Sequence, residues 1–253
     1  MVEECRLAMS ISENTLDGML HVGKELEKKY APIILEPRLD CVPELVKSNH
    51  DTSSRLKKLL TGFEKTPLII TNTSIAESGP NPLYGYKGNE KQRRDLLQYA
   101  ANVLSSLDRI NYVSVELDRF EELNRNSKRV KVIVMKHFFK NESERDWIFE
   151  DLEDAVVSMR TETQMKRADI GKIAVFTDSP EKVEYVNTLI ERYAHKFPLI
   201  ALPMGPYDFV KDARNENMKK GIYLTFVASE NGAPSAPGQP SIIEARNFLS
   251  SAQ

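Results

Sequence analysis

Ile170-Gly171-Lys172-Ile173-Ala174-Val175-Phe176 is an apolar run of strand length that carries a single charged residue. Shortly after it, Ser179-Pro180 opens a segment in which Val183, Val186, Leu189, Ile190 and Tyr193 recur at three- and four-residue spacing. A strand buried on both faces and followed by an amphipathic helix is one βα unit of a parallel sheet. Ser179 supplies the cap of that helix, and Pro180 fits its first turn because its ring fixes φ and no N–H is needed there.

The same alternation extends outward to both ends of the chain. Strands are expected at Arg6 to Ser12, Pro32 to Leu39, Pro67 to Asn72, Asn111 to Leu117, Val130 to Lys136, Ile170 to Phe176, Pro198 to Leu202 and Ile222 to Val227, each followed by a candidate helix. Glu144 to Ala168 reads as a long helix and Ser241 to Ser250 as the last one. Eight units predict an α/β fold of the (β/α)8 TIM-barrel type, a single domain over residues 1–253. Neither GxGxxG nor GxxxxGK[ST] follows a strand, so nucleotide binding has little support. Two turn-rich loops, Thr73 to Glu90 and Ser229 to Pro240, follow strands, and such loops carry the active sites of barrel enzymes.

Lys plus Arg number 35 and Asp plus Glu 37, a net charge of −2 without a long run of either sign. That balance argues against nucleic acid and membrane surfaces as partners. Cys5 and Cys41 are the only cysteines, too few for a disulfide or zinc framework, and a reducing cytoplasmic location fits them best. The acidic start MVEECRLAMSISEN is unlike a secretory leader, and no apolar run approaches the roughly 20 residues needed to cross a bilayer, so a soluble, unprocessed protein is expected.

Several charges fall on strand faces where water should be scarce. In Ile34-Leu35-Glu36-Pro37-Arg38-Leu39-Asp40 the alternation puts Glu36, Arg38 and Asp40 on one face and only apolar residues on the other. In the Asn111 to Leu117 strand, Ser114 and Glu116 share a face opposite Val113 and Val115. These charges are either functional or a structural network in which Arg38 is bracketed by Glu36 and Glu116. Lys172 shares its face with Ile170, Ala174 and Phe176. Burial there would strip solvation from its ammonium and favour the neutral amine, which attacks carbonyls; the competing reading is a lysine that reaches solvent or pairs with an acid. His137 stands at the end of its strand, whereas His21, His50 and His195 fall in expected helices or polar connections, which makes His137 the preferred acid/base.

Taken in order, these segments resemble type I 3-dehydroquinate dehydratases over almost the whole chain. Glu36-Pro-Arg38-Leu-Asp40 is similar to the family's E-x-R-x-D strand, Ala168 to Val175 to its imine-lysine segment, and Ser235-Ala236-Pro237-Gly238-Gln239 to its S-A-P-G-Q loop. His137 falls at the family's histidine, with Phe138 in place of the usual Asp, and Glu77 where the family has the glutamate that orients that histidine. The resemblance implies an imine on Lys172, proton transfer by His137, and substrate contacts from Ser10, Glu36, Arg38, Glu116, Met204, Ser235 and Gln239. It also implies a small keto acid as substrate, a homo-oligomer such as a homodimer, and no metal or nucleotide cofactor.

Two departures bear on the substrate. Thr73 occupies the family's strand-three arginine position, and the arginine expected after strand seven aligns near Asp212. A charge-assisted hydrogen bond contributes roughly 1.5 to 3 kcal/mol, so losing two requires a replacement cation, with Lys211, Arg214 and Lys87 as candidates. Of the segment that reads Leu202-Pro203-Met204-Gly205 here, only Met204 matches the usual Met-Ser-Met. Two other readings therefore stand beside the dehydratase: a diverged paralogue that binds a ligand or partner for regulation, and an imine-forming lyase or aldolase for another keto acid.

Overall fold

The computed structural model describes residues 5–46, 50–63, 65–78, 84–120, 123–124, 127–139, 146–230 and 234–251. All eight expected strands form: β1 Arg6–Ile11, β2 Ile34–Pro37, β3 Ile69–Ile70, β4 Asn111–Glu116, β5 Val130–Phe138, β6 Ile170–Phe176, β7 Leu199–Met204 and β8 Leu224–Phe226. The helices are α1 Leu16–Tyr30, α2 His50–Thr61, α3 Glu90–Ser105, α4 Phe149–Gln164, α5 Pro180–Tyr193, α6 Asp208–Lys219 and α7 Ile242–Ser250. The ladders run β2-β1-β8 and β3-β4-β5-β6-β7. Isolated parallel bridges Leu35↔Leu68 and Arg38↔Thr71 join the β2 and β3 segments, and Tyr223 N donates to Leu199 O at 2.8 Å. Parallel strands alternating with helices in chain order are the α/β class read from the sequence.

The chain packs as two compact units, Ser10–Ile133 and Met1–Met9 with Val134–Gln253. In the first, Leu56, Leu59, Leu60 and Phe63 are fully buried, as are Leu68, Ile69 and Ile70 on the short third strand. In the second, β6 and β7 pair in register from Gly171↔Leu199 to Phe176↔Met204. Helix α5 starts as expected: the Ser179 side chain accepts from Lys182 N, and Val183, Val186, Leu189, Ile190 and Tyr193 are its buried residues. Ser241 caps α7 in a capping box with Glu244.

One expected unit is incomplete. Among the described residues β4 is followed by no α-helix, only by the 3-10 turn Leu117–Arg119, so the expectation of a helix after every strand fails here. The link 117–129 is rich in charged and polar residues and has little more than Phe120 and Leu123 to make an apolar stripe. Those two side chains, with Leu97 of α3 and Val115 of β4, line a cavity of about 340 Å³ rimmed by Glu90, Arg93, Arg94, Asp118 and Arg119. Element ends differ more modestly. The second strand stops at Pro37, and Asp40 lies in the 3-10 turn Leu39–Cys41 rather than on a strand. The long helix read as Glu144 to Ala168 spans Phe149–Gln164, and residues 144–145 lie outside the described residues.

The Ser235 to Gln239 loop returns closely to the end of β7. Gly205 N donates to Pro237 O at 3.3 Å, and Gly238 has φ +81°, where a Cβ would lie 2.8 Å from Gly205 O. Gly238→Ala should therefore cost roughly 1 to 3 kcal/mol through backbone strain. The expected outcome is a lower urea midpoint at unchanged slope; a midpoint equal to that of the parent would refute it.

Candidate active site

The face that Lys172 occupies is fixed by its neighbour. A Cβ on Gly171 would meet Met159 of α4 and the Phe197 ring, so Gly171 faces the helix layer and Lys172 faces away from it. Lys172 is 7% exposed, and its Nζ lies 4.5 Å from the centroid of the Phe226 ring on β8. An aromatic face there receives the ammonium favourably without neutralising it. In the β6–β7 register Lys172 pairs with Ile200 and Phe176 with Met204, which places Met204 on the lysine's face, nearer the C-terminal ends of the strands.

His137 is the penultimate residue of β5, the strand next to β6. Phe138 packs edge-on against Trp147, which in turn meets Tyr185 and Lys182 of α5. Phe138 thus points to the helices, and alternation sends His137 the other way, to the face that bears Lys172 on the next strand. The imidazole stacks on Phe139, centroids 5.7 Å apart. In the loop after β8, Gln239 accepts from Ser235 N and donates to Ser235 Oγ, both at 2.9 Å, so the two residues are joined before any ligand arrives. Ala228 N donates to Pro240 O and Ile242 N to Ala228 O, fastening the loop's far end beside β8.

In the other unit the acids of the second strand are already committed. Glu36 is 2% exposed and accepts from Ser10 Oγ at 2.5 Å and Thr71 Oγ1 at 2.7 Å. Arg38 makes a two-pronged contact with Asp40, at 2.9 and 2.6 Å, reaches Thr73 Oγ1 at 3.4 Å, and lies 4.2 Å from the Tyr84 ring centroid. Burial works against the Arg38 charge, but the charge and hydrogen bonds of Asp40 outweigh it and the guanidinium is held protonated. Asp40 also accepts from Gly85 N at 3.0 Å. Of the expected bracketing of Arg38, the Glu36 charge still acts on it, Asp40 is its direct partner, and Glu116 pairs with Arg93.

Glu116 takes part in a different cluster. Its Oε1 accepts from Ser74 N at 2.5 Å, and its Oε2 lies 3.3 Å from Arg93 Nη2 of α3. Burial raises the carboxyl's pKa and the nearby Glu77 charge adds to the rise, while Ser74 and Arg93 oppose it. Glu77 itself sits in the 3-10 turn Ile75–Glu77, partly exposed. Of the replacement cations, Lys211 is bound to Glu244 at 2.5 Å, and Lys87 is exposed and reaches Tyr84 O at 3.4 Å. Arg214 is 1% exposed: Nη2 donates to Phe226 O at 2.9 Å, Nε has no partner, and no carboxylate pairs with it among the described residues. Burial alone pushes it down to about 10.

Sequence reasoning passes over Arg93 and Tyr84, because a helix-start arginine and a loop tyrosine carry no motif. It reaches Arg214 only as one of three options, since burial of a helical arginine is visible only once the helix is packed.

An amine on a strand face turned from the helices, with an imidazole on the same face of the adjacent strand, equips an α/β enzyme for carbonyl chemistry through an imine. Similarity to known proteins defines the class. The profile of the type I 3-dehydroquinase family matches residues 7–253, and the chain belongs to that family. It is 28% identical over 245 residues to the 3-dehydroquinate dehydratase of Methanococcus maripaludis, covering 94% of this chain and 95% of that one. Among solved structures it superposes on the 3-dehydroquinate dehydratase of Geobacillus kaustophilus with a TM-score of 0.75 at 23% identity, over 99% of this chain and 91% of that one. The type I enzyme of Clostridium difficile, solved with covalently modified comenic acid, gives 0.74 at 25%, over 98% and 92%.

Burial, with Asp40 adding to it, pushes the Cys41 thiol up to about 12. The neutral thiol is therefore favoured in the folded state. That contribution to stability is complete below the free-thiol value of about 8.5 and fades as pH climbs toward 12. Native protein treated with iodoacetamide at pH 8 should leave Cys41 unmodified by mass spectrometry while denatured protein is labelled; rapid native labelling would contradict the assignment.

Proposed function

We infer that the chain is a 3-dehydroquinate dehydratase, a hydro-lyase that works through a Schiff base. Lys172 adds to the ring ketone and, with loss of water, gives an iminium that accepts the electrons of the adjacent carbanion. His137 removes the proton, then returns it to the β-hydroxyl, which leaves as water; hydrolysis of the imine releases the enone and the free lysine. On the resemblance to the family, Glu77 would orient that histidine. Ser10, Glu36, Arg38, Ser235 and Gln239 would meet substrate hydroxyls or the carboxylate. The support that carries this reading is Lys172, held in the family's imine-lysine segment, buried, and facing Phe226.

Arg214 is the cation we assign to the substrate carboxylate. It is buried and charged at neutral pH and lacks a counter-ion among the described residues, whereas Lys211 is bound to Glu244. The reading places the enzyme in the cytoplasm on the shikimate route toward chorismate and aromatic amino acids, as one domain and a homodimer. Both unit boundaries fall inside strands, β1 and β5, which favours the single-domain view.

Borohydride with 3-dehydroquinate should leave a stable adduct on Lys172, while enone absorbance grows without the reductant. A Lys172 that stays unmodified during turnover would rule out the imine. Arg214→Met should raise KM roughly 10- to 100-fold, the worth of a charge-assisted hydrogen bond, without lowering thermal stability, because an uncompensated buried charge is removed. Lys211→Ala should leave KM unchanged. An unaltered KM in Arg214→Met would dismiss that residue.

A further inference from the structure

The segment that carries Glu77 is held at two backbone points by side chains from outside it. Arg93 Nη1 of α3 donates to Asn72 O at 2.8 Å, and Glu116 Oε1 of β4 accepts from Ser74 N at 2.5 Å. The two clamping side chains meet each other, Arg93 Nη2 to Glu116 Oε2, 3.3 Å. Glu90 steadies Arg93 through contacts of 2.6 to 3.1 Å to its Nε and Nη2, and Arg119 in turn reaches Glu90 at 3.0 Å. Both clamping residues are at most 2% exposed. An ion pair so buried keeps its geometry, since breaking it would leave a charge without water.

Beyond the clamp, Tyr86 N donates to Thr73 O at 2.8 Å, and the exposed turn closes on itself through Glu77 N on Ser74 O at 3.2 Å, Ser78 N on Ile75 O at 3.3 Å and Ser78 Oγ on Ile75 O at 2.8 Å. Ile75 is 60% exposed and Ala76 is exposed. A three-residue turn with solvent on most of its side chains takes its position from its anchors.

We propose that Arg93 and Glu116 are a positioning pair that fixes the backbone of residues 72–74 and thereby sets where the Glu77 carboxylate is presented for proton transfer. Glu116 meets Ser74 N and Arg93, and the role proposed for the pair needs no contact with substrate. This rests on the reading that Glu77 serves the proton-transfer step, and it extends that reading to residues that no motif marks.

The test is a double-mutant cycle on the full-length enzyme with Glu116→Gln and Glu77→Gln, which reads kcat, KM for 3-dehydroquinate, borohydride trapping at Lys172 and thermal midpoint. Glu116→Gln alone should lower kcat roughly 10-fold, as displacement of a catalytic group does, with KM changed less than about 2-fold and trapping intact. In the Glu77→Gln background the same change should have no further effect on kcat, because the pair acts through Glu77. Arg93→Lys should retain more kcat than Arg93→Met. If Glu116→Gln does not fold, Arg93→Met carries the same cycle.

A lowered kcat in Glu77→Gln with a Glu116 effect that is absent, or that persists undiminished in the double variant, would overturn the positioning pair alone. An unchanged kcat in Glu77→Gln would overturn the role of Glu77 and the pair with it.

Discussion

Charge without water is the constraint around which both units are arranged. A parallel strand covered by helices on one face turns its other face to a region where an isolated ion costs several kcal/mol, so each charge there must find a partner or a purpose. Arg38 finds Asp40, Glu36 finds two hydroxyls, and Glu116 finds a backbone amide and Arg93. Lys172 faces an aromatic ring, the surface against which we place the ketone. Arg214 meets a carbonyl and no carboxylate among the described residues, and that cation is the one assigned to hold the substrate carboxylate.

How much of this is legible depends on whether the signal is local. Strand alternation is local, and it puts Glu36, Glu116, Lys172 and Met204 on the faces they occupy and finds all eight strands. Capping chemistry is local too, so Ser179 and Ser241 mark helix starts correctly. Pairing is not local. From the alternation alone, Arg38 has three acids as candidate partners, and the choice of Asp40 follows from the chain bending into a 3-10 turn at Leu39. Likewise the alternation shows the face of Glu116 but not its contacts with Ser74 N and Arg93. Arg93 lies on a helix whose sequence gives no hint that the guanidinium reaches back to Asn72 O and Glu116.

The two positions that depart from the family's pattern have different surroundings. Thr73, in place of an arginine, accepts from Arg38, and Tyr84 covers the same guanidinium, so polar and aromatic atoms surround a charge in place of a second cation. Two residues on from Asp212, Arg214 is buried against the end of β8. A helix displaces successive residues by about 100° around its axis, so a shift of two positions changes which face a side chain occupies.

The link between β4 and β5, which holds no α-helix among its described residues, also bears on how the chain first assembles. Residues 117–129 are the shortest stretch between consecutive strands in this protein; the connection from β6 to β7 is residues 177–198. The entropy lost in closing a loop rises with its length, and contacts near in sequence form soonest. The β4–β5 ladder is thus the parallel pair that an unfolded chain can close at least entropic cost, a natural seed on which the later βα units can be laid down.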